Sequence, residues 1–464
     1  MYIKKRNIII GIILIVVLSI GLSTAVFQLT PKALGTEASF EKLHEVYKLL
    51  DNQYVEEVDK EKLVEGAIQG MVKSLDDPYT TYMDIDEAKG FQEAISSSFE
   101  GIGAEVTEQN GKIMIVSPIK GSPAEKAGLK PEDKILKVDG ESIEGMSANE
   151  AVMLIRGEKG SEVKLTIERE GIGTMDVAII RDTIPLHTVY SEMTDEKIGT
   201  IQITRFSENT GQELADALME FDKEKVKGIV LDLRQNPGGL MDQAIAMTDM
   251  FVDKGKTILQ VKDNDGNVET YKAENRAMVD VPVVVITDNG TASAAEIMAA
   301  ALHESANIPV VGETTFGKGT VQNAQEFNDG TSIKYTIAKW LTPSGQWIHE
   351  KGLQPQHEVS LPEYANISYL DPKVSIKQGD SSTDVKTAEE MLIAVGYEVN
   401  ADGFLDEKEA NKVQSFQQDH GLNKTGIITG ETTTTLMNLV REKIVENDTQ
   451  MKKAIDVLKE EMAS

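Results

Sequence analysis

The sequence predicts a multi-domain α/β protein, on three observations. Its 464 residues exceed what one core fills, at roughly 100 to 200 residues per domain. From Thr183 to Pro362 short apolar strands alternate with amphipathic helices, as in "VKGIVLDLRQNPGG" before "LMDQAIAMTDMFV" and "VPVVVITD" before "TASAAEIMAAALHE", the pattern of an α/β layered core. Apolar residues make up 40% and charged residues 27%, a globular balance rather than that of a chain disordered throughout.

At the N-terminus Lys4, Lys5 and Arg6 precede "NIIIGIILIVVLSIGLSTAVF", about twenty nearly uncharged residues, enough to span a bilayer. Positive residues stay on the cytoplasmic side, so residues 1–30 are expected to form a cytoplasmic tail and single-pass membrane anchor, with the rest of the chain outside the cytoplasm. "STAVF" is a poor cleavage site, which favours an uncleaved anchor. Residues 31–97 carry apolar residues at helical spacing, Leu43, Val46, Leu49 and Leu50, then Leu63, Ile68, Met71 and Val72, and predict a helical N-terminal region. An Asp-Pro turn in "SLDDPYTTYM" and a short helical stretch, "DIDEAKGFQEAI", close it. This region reads as scaffold.

From residue 98 to 182 short strands with glycine punctuation take over. "FEGIGAEV" places a glycine-rich loop ahead of an edge strand, where bare backbone N–H groups of Phe99, Glu100, Gly101, Ile102 and Gly103 can meet a carboxylate while the strand edge pairs with an extended peptide. Together with "SPAEKAGLKPEDKILKVDG", this unit resembles a PDZ domain. Residues 183–362 form the α/β core, the largest in the chain. Residues 373–442, with "QGDSSTDVKTAEEML", "DGFLDEKEANKVQSFQQDHGL" and "TGIITGETTTTLM", resemble the small helical peptidoglycan-binding domain of cell-wall proteins. They depart from it at "KTAEEML", where a glutamine usually precedes the last leucines of the helix. Residues 443–464 form a charged amphipathic helix, solvated or docked rather than chemical.

A formal net charge of −29 repels phosphates and argues against nucleic-acid partners. The absence of cysteine excludes thiolate metal sites, disulfides and a cysteine nucleophile. None of the 6 histidines sits in a run built around it.

Three glycine-rich strand ends can converge: "LRQNPGG", "TDNGTASAAE" and "TTFGKGTVQ". Sites in open α/β sheets form there, where loops expose backbone N–H groups. Ser293 starts the helix "SAAEIMAAALHE", near free N–H groups and the positive end of the helix dipole, which favours an oxyanion; a plain N-cap is the alternative. Lys318 lies between Gly317 and Gly319, whose lack of side chains lets the backbone approach another element. Desolvated against Ser293, its amine would fall from about 10.4 toward neutrality and become a competent base; a solvated or phosphate-contacting lysine is the alternative. Gln322 would orient that amine or be an ordinary strand residue.

In this order, "SLDDPYTTYM", "FEGIGAEV", "SPAEKAGL", "GIVLDLRQNPGG", "DNGTASAAE" and "TFGKGTVQ" resemble the carboxyl-terminal processing peptidases, tail-specific serine proteases of bacteria and chloroplasts. The resemblance implies a crotonase/ClpP-like α/β protease core with an inserted PDZ domain, a helical N-terminal region and a small helical C-terminal domain. It implies Ser293 as nucleophile, Lys318 as general base and Gln322 as its partner. It also implies an oxyanion hole from the backbone N–H groups of Ala294 and Gly239, with Gly238 an alternative, and no metal or cofactor. The expected partners are a protein or peptide substrate with a free C-terminus, peptidoglycan, the membrane and a second copy of the chain. The combination of anchor, PDZ and peptidoglycan-binding units resembles Gram-positive extracytoplasmic members, some of which serve sporulation signalling. A non-catalytic peptide-binding scaffold at the cell surface and a crotonase acting on acyl-CoA thioesters are the rival readings.

Overall fold

The computed structural model describes residues 34–109 and 111–463; the apolar run of the expected anchor lies outside them. Among the described residues no helix is long and apolar enough to cross a membrane. The chain divides into two compact units, Met1–Tyr82 and Met83–Ser464.

In the first unit the helical periodicity produces two helices, Leu34–Gln53 and Lys60–Lys73. Asp59 caps the second, accepting from the N–H groups of Glu61 and Lys62, two donors that an uncapped helix would leave unsatisfied. Phe40, Leu43, Val46, Leu49, Val64 and Met71 stand exposed.

The second unit opens with the short helix Ile85–Ser96, capped by a reciprocal Asp84–Glu87 pair of the capping-box type. The sequence groups this helix with the N-terminal scaffold, but its chain-mates are those of the α/β core: Ser207 Oγ donates to the Ala94 carbonyl at 3.0 Å and Glu208 N–H to the Ile95 carbonyl at 3.0 Å. The glycine-punctuated region forms a sheet with Ala104–Gln109 at its edge. That strand pairs with Lys112–Pro118, and the helix Ala148–Ile155 packs near it.

The core is a six-stranded sheet in the order β1 (Val189–Met193), β2 (Ile198–Ile203), β3 (Gly228–Asp232), β4 (Val283–Thr287), β5 (Val310–Gly312) and β6 (His357–Glu358). Only β1 runs antiparallel to its neighbour. Every residue of β3, β4 and β5 is buried, as expected for parallel strands covered on both faces. One face packs on α1 (Thr210–Glu224), α2 (Met241–Thr248) and α3 (Ala294–Ala306). The other is covered by α4 (Thr449–Ala463), whose Ala454, Val457 and Leu458 pack on Ile198, Val230, Val284, Ile286 and Val311. The charged C-terminal segment is thus a structural layer of the core, and it begins only after a break at Asn447–Asp448 that follows the helix Glu431–Glu446.

The C-terminal unit packs helices Thr383–Ala394, Glu407–Asp419 and Glu431–Glu446 around Val385, Leu392, Phe416 and Leu436. Glu389, within the departing "KTAEEML" run, is fully buried. Its Oε2 accepts the Gly403 N–H at 2.8 Å, while Oε1 has no partner among the described residues. Burial, aided by Glu409 and Asp402, pushes its carboxyl up to about 7. A raised folded value means the fold favours the neutral acid, so Glu389 lowers stability progressively as pH climbs from about 4.3 through about 7. Glu389→Gln supplies the same acceptor with no charge. Calorimetry of the full chain is expected to show the variant's C-terminal transition raised over the parent at pH 8 and level with it at pH 4; an equal increment at both would contradict this account.

Candidate active site

Three loops at the C-terminal ends of β3, β4 and β5 meet, and hydrogen bonds explain why. The loop after β4 is wound around Asp288, whose Oδ1 accepts from the N–H groups of Gln235 at 2.9 Å and Gly290 at 3.0 Å, while Oδ2 accepts from the Gln235 side chain at 2.7 Å. Ala292 N–H donates to the Asn236 carbonyl at 2.9 Å. Asn236 is itself fully buried, with its amide on the Ile203 carbonyl and its Oδ1 on the Gly238 N–H at 2.9 Å.

Ser293 sits at the turn from this loop into α3 with φ 55° and ψ −115°. An ordinary N-cap residue lies in the β region, and a side chain other than glycine is strained at this backbone, by about 1–3 kcal/mol. The strain is held by neighbours. The first element is Glu296, fully buried, whose Oε2 accepts the Ser293 N–H at 2.7 Å. The same Oε2 accepts the Lys318 N–H at 2.9 Å. Its Oε1 accepts the Gly317 N–H at 2.7 Å and the Thr315 hydroxyl. Burial pushes the Glu296 carboxyl up, and these four donors pull against that shift. One carboxylate therefore ties the serine turn to the lysine loop.

The glycines around Lys318 are positions of close approach. A Cβ on Gly317 would lie 2.7 Å from the Gly352 nitrogen, and one on Gly319 would lie 2.7 Å from Trp347 Nε1. The Lys318 carbonyl accepts from Trp340 Nε1 at 2.8 Å, which fixes the loop's backbone. Gln322 lies on the strand Thr320–Glu326, with its amide donating to Thr320 Oγ1 at 2.8 Å.

Ser293, Ala294, Gly238, Gly239, Lys318 and Gln322 all line one cavity of about 1070 Å³, whose far wall is the helix Ile85–Ser96. No histidine lines it among the described residues. A Cβ on Gly238 would meet Ala294 N at 2.8 Å and Ser293 Cβ at 2.9 Å, so the glycine turn abuts the start of α3. The Gly238 N–H is occupied by Asn236, whereas those of Gly239 and Ala294 donate to no other group among the described residues. Gly239, at φ 143°, packs against Phe206, where a Cβ would lie 2.0 Å from the carbonyl oxygen.

The residues expected to bind a carboxylate divide into two sets. Phe99, Glu100 and Gly101 pair with Ile184, Thr183 and Asp182 in a two-stranded ribbon. The Arg156 guanidinium lies 4.5 Å above the Phe99 ring and bonds Glu93 Oε2 at 2.9 Å, linking the glycine-punctuated unit to the helix at the cavity wall. Glu100 Oε2 accepts the Lys159 N–H at 3.1 Å. The carbonyls of Ile102 and Gly103 accept from Ala124 and Ile119, while their N–H groups donate to nothing among the described residues, at the head of the edge strand Ala104–Gln109.

Glu296 and the Ile85–Ser96 helix were not singled out as functional by the sequence. The available signal for Glu296 is its place three residues after the serine, a charged residue in the otherwise small and apolar run Ala294–Leu302.

Residues 197–359 match the profile of peptidase family S41, residues 23–87 that of the activating protease CtpB N-terminal domain, residues 114–169 that of a PDZ domain, and residues 381–436 that of a peptidoglycan binding domain. The carboxy-terminal processing protease CtpA of Bacillus subtilis is 56% identical over 92% of this chain and 91% of its own length. The chain belongs to peptidase family S41. A second family member, the carboxy-terminal processing protease CtpB of Bacillus subtilis, is 43% identical over 91% of this chain and 89% of its own. A solved photosystem II D1 C-terminal processing protease is 29% identical, with a TM-score of 0.41, over 69% of this chain and 93% of that one. As an S41 member the chain is a serine-type carboxy-terminal processing peptidase that carries PDZ and peptidoglycan-binding domains, and both rival readings fall.

Proposed function

We propose that this peptidase cleaves through a Ser293–Lys318 dyad outside the cytoplasm, anchored by its N-terminal apolar run, on substrates delivered by their C-terminal tails. The observation that carries the dyad is the shared Glu296 oxygen, which holds the backbones of Ser293 and Lys318 within one carboxylate's reach. With the lysine amine neutral, Lys318 takes the Ser293 proton as Oγ attacks the scissile carbonyl. The oxyanion lies against the N–H groups of Ala294 and Gly239, donors fixed in place before the charge develops. The lysine ammonium then protonates the leaving amine, and the same lysine activates the water that releases the acyl group. Gln322 orients the amine from the neighbouring strand.

Tail recognition is supported by the free N–H groups of Ile102 and Gly103 ahead of an unpaired strand edge, the arrangement that captures a terminal carboxylate by β-augmentation. The exposed apolar residues of Leu34–Gln53 and Lys60–Lys73 support a homodimer, and the C-terminal unit supports contact with peptidoglycan. A cell-envelope or signalling protein, including one of sporulation, fits this placement as substrate. Amidating the C-terminus of a peptide substrate removes the charge from a bond worth about 1.5–3 kcal/mol. Its KM is expected to rise about tenfold or more with kcat less affected; free-acid and amidated peptides with equal KM would rule out tail capture.

A further inference from the structure

The cavity beside Ser293 is charged unlike the rest of the chain. Acidic residues outnumber basic ones overall, 76 to 47, yet the lining presents Lys89, Arg205, Lys318 and Lys334 against Asp242 and Glu326. Apart from Lys318, the cation tied most closely by the backbone to the glycine turn is Arg205. Its neighbour Phe206 donates its N–H to the Gly238 carbonyl at 2.9 Å and accepts the Leu240 N–H at 2.7 Å, so the Arg205 backbone is clamped alongside the turn that supplies Gly239. The Arg205 carbonyl accepts from Thr210 Oγ1 at 3.2 Å. Arg205 is exposed and forms no ion pair with a carboxylate among the described residues. On another wall Lys334 Nζ lies 5.4 Å from the Phe91 ring, and Lys89 lies on the same helix as Phe91.

An unpaired guanidinium whose backbone is held beside the glycine turn, with two further cations in the cavity lining, can receive a carboxylate. Arg binds carboxylates in a planar two-point geometry, and cavity walls of low dielectric focus the field of such a cluster. We propose that Arg205, with Lys89 and Lys334 at the wall, selects substrate segments carrying an Asp or Glu side chain close to the cleaved bond. The inference rests on Ser293 as the nucleophile. The global charge of −29 repels acidic substrates at a distance, so the selectivity appears between peptides differing at one position and shrinks in high salt.

The test uses the full chain and internally quenched peptides with a common apolar, free C-terminus, each bearing a single Glu, Gln or Lys at one of three positions on either side of the cleaved bond. The parent is expected to favour Glu over Gln in kcat/KM by about tenfold at one of these positions, a difference of about 1.4 kcal/mol, and to disfavour Lys there. In Arg205→Gln that ratio falls to within twofold; in Arg205→Glu the order reverses toward Lys. Matching melting temperatures establish that the variants are folded. A parent that cleaves all three peptides within twofold at every position, or a preference that survives in Arg205→Gln, overturns the inference. Cleavage that persists in Ser293→Ala overturns the nucleophile assignment, and this inference with it, whatever the ratio.

Discussion

Ser293→Ala and Lys318→Ala are each expected to lose peptide hydrolysis by at least a thousandfold while melting within a few degrees of the parent. The structural effect is small because the bond that holds the serine turn uses the Ser293 backbone N–H, donated to Glu296 at 2.7 Å, which alanine keeps. The catalytic effect is large because no histidine lines the cavity among the described residues to replace the lysine, and members of a nucleophile–base pair act as a unit. Glu296→Gln tests the scaffold beneath them. Two carboxylate oxygens there accept from three N–H groups and one hydroxyl; an amide nitrogen accepts none of them, so one of the two loops must shift. A misplacement of about 1 Å costs on the order of a hundredfold in rate, and a Glu296→Gln variant with parental kcat would show that the shared oxygen does not position the dyad. Hydrolysis of a quenched peptide, read beside a thermal melt, separates these outcomes.

Deleting residues 448–464 is expected to abolish a soluble, folded core, although the segment lies far along the chain from Ser293 and Lys318. The deletion uncovers Val230, Val284, Ile286 and Val311, all at 0% exposure, on the face that α4 covers. Exposing four such side chains costs about 6–12 kcal/mol, comparable to the whole stability of a domain at about 5–15 kcal/mol. The deletion also removes Asp448, which accepts from Arg234 Nη1 at 2.8 Å. Arg234 binds Asp232 through Nε and Nη2 and is held fully protonated by these acids against the pull of its burial. Because Arg234 opens the "RQNPGG" turn, the start of this segment also braces the glycine turn that lines the cavity. Leu458→Ala gives a milder, measurable version, with a loss of about 2–5 kcal/mol seen as a lower Tm. A truncated chain that stays soluble with the parental Tm and activity would contradict this assignment of α4.

What the sequence disclosed followed its local signals. The α/β alternation, the glycine turns and the three loops that meet at Ser293 all come from short-range pattern, and the backbone flanking Lys318 is tight where both glycines predict it. What stayed hidden depends on partners distant in the chain. Glu296 looks like half of a capping box until the fold brings Thr315, Gly317 and Lys318 to its other lone pairs. Arg234 and Asp448 are 214 residues apart, and amphipathy leaves open whether α4 is solvated or docked and names no receptor. The helix Ile85–Ser96 reads as scaffold because its cavity-facing residues contact nothing adjacent in sequence. The resemblance implies Gly239 with Gly238 an alternative, but the physical distinction between them, Asn236 Oδ1 occupying the Gly238 N–H, was not readable in the sequence.

The claim at the centre of this account is that Lys318 activates Ser293, and the rate at which a fluorophosphonate adds to Ser293 tests it most directly, because that addition needs the serine proton removed but no substrate binding. Mass spectrometry is expected to locate the adduct on Ser293 in the parent. In Lys318→Arg, which keeps the charge but cannot accept a proton, the addition is expected to slow by at least a hundredfold. Labelling of Lys318→Arg at the parental rate, or an adduct on any residue other than Ser293, would contradict it.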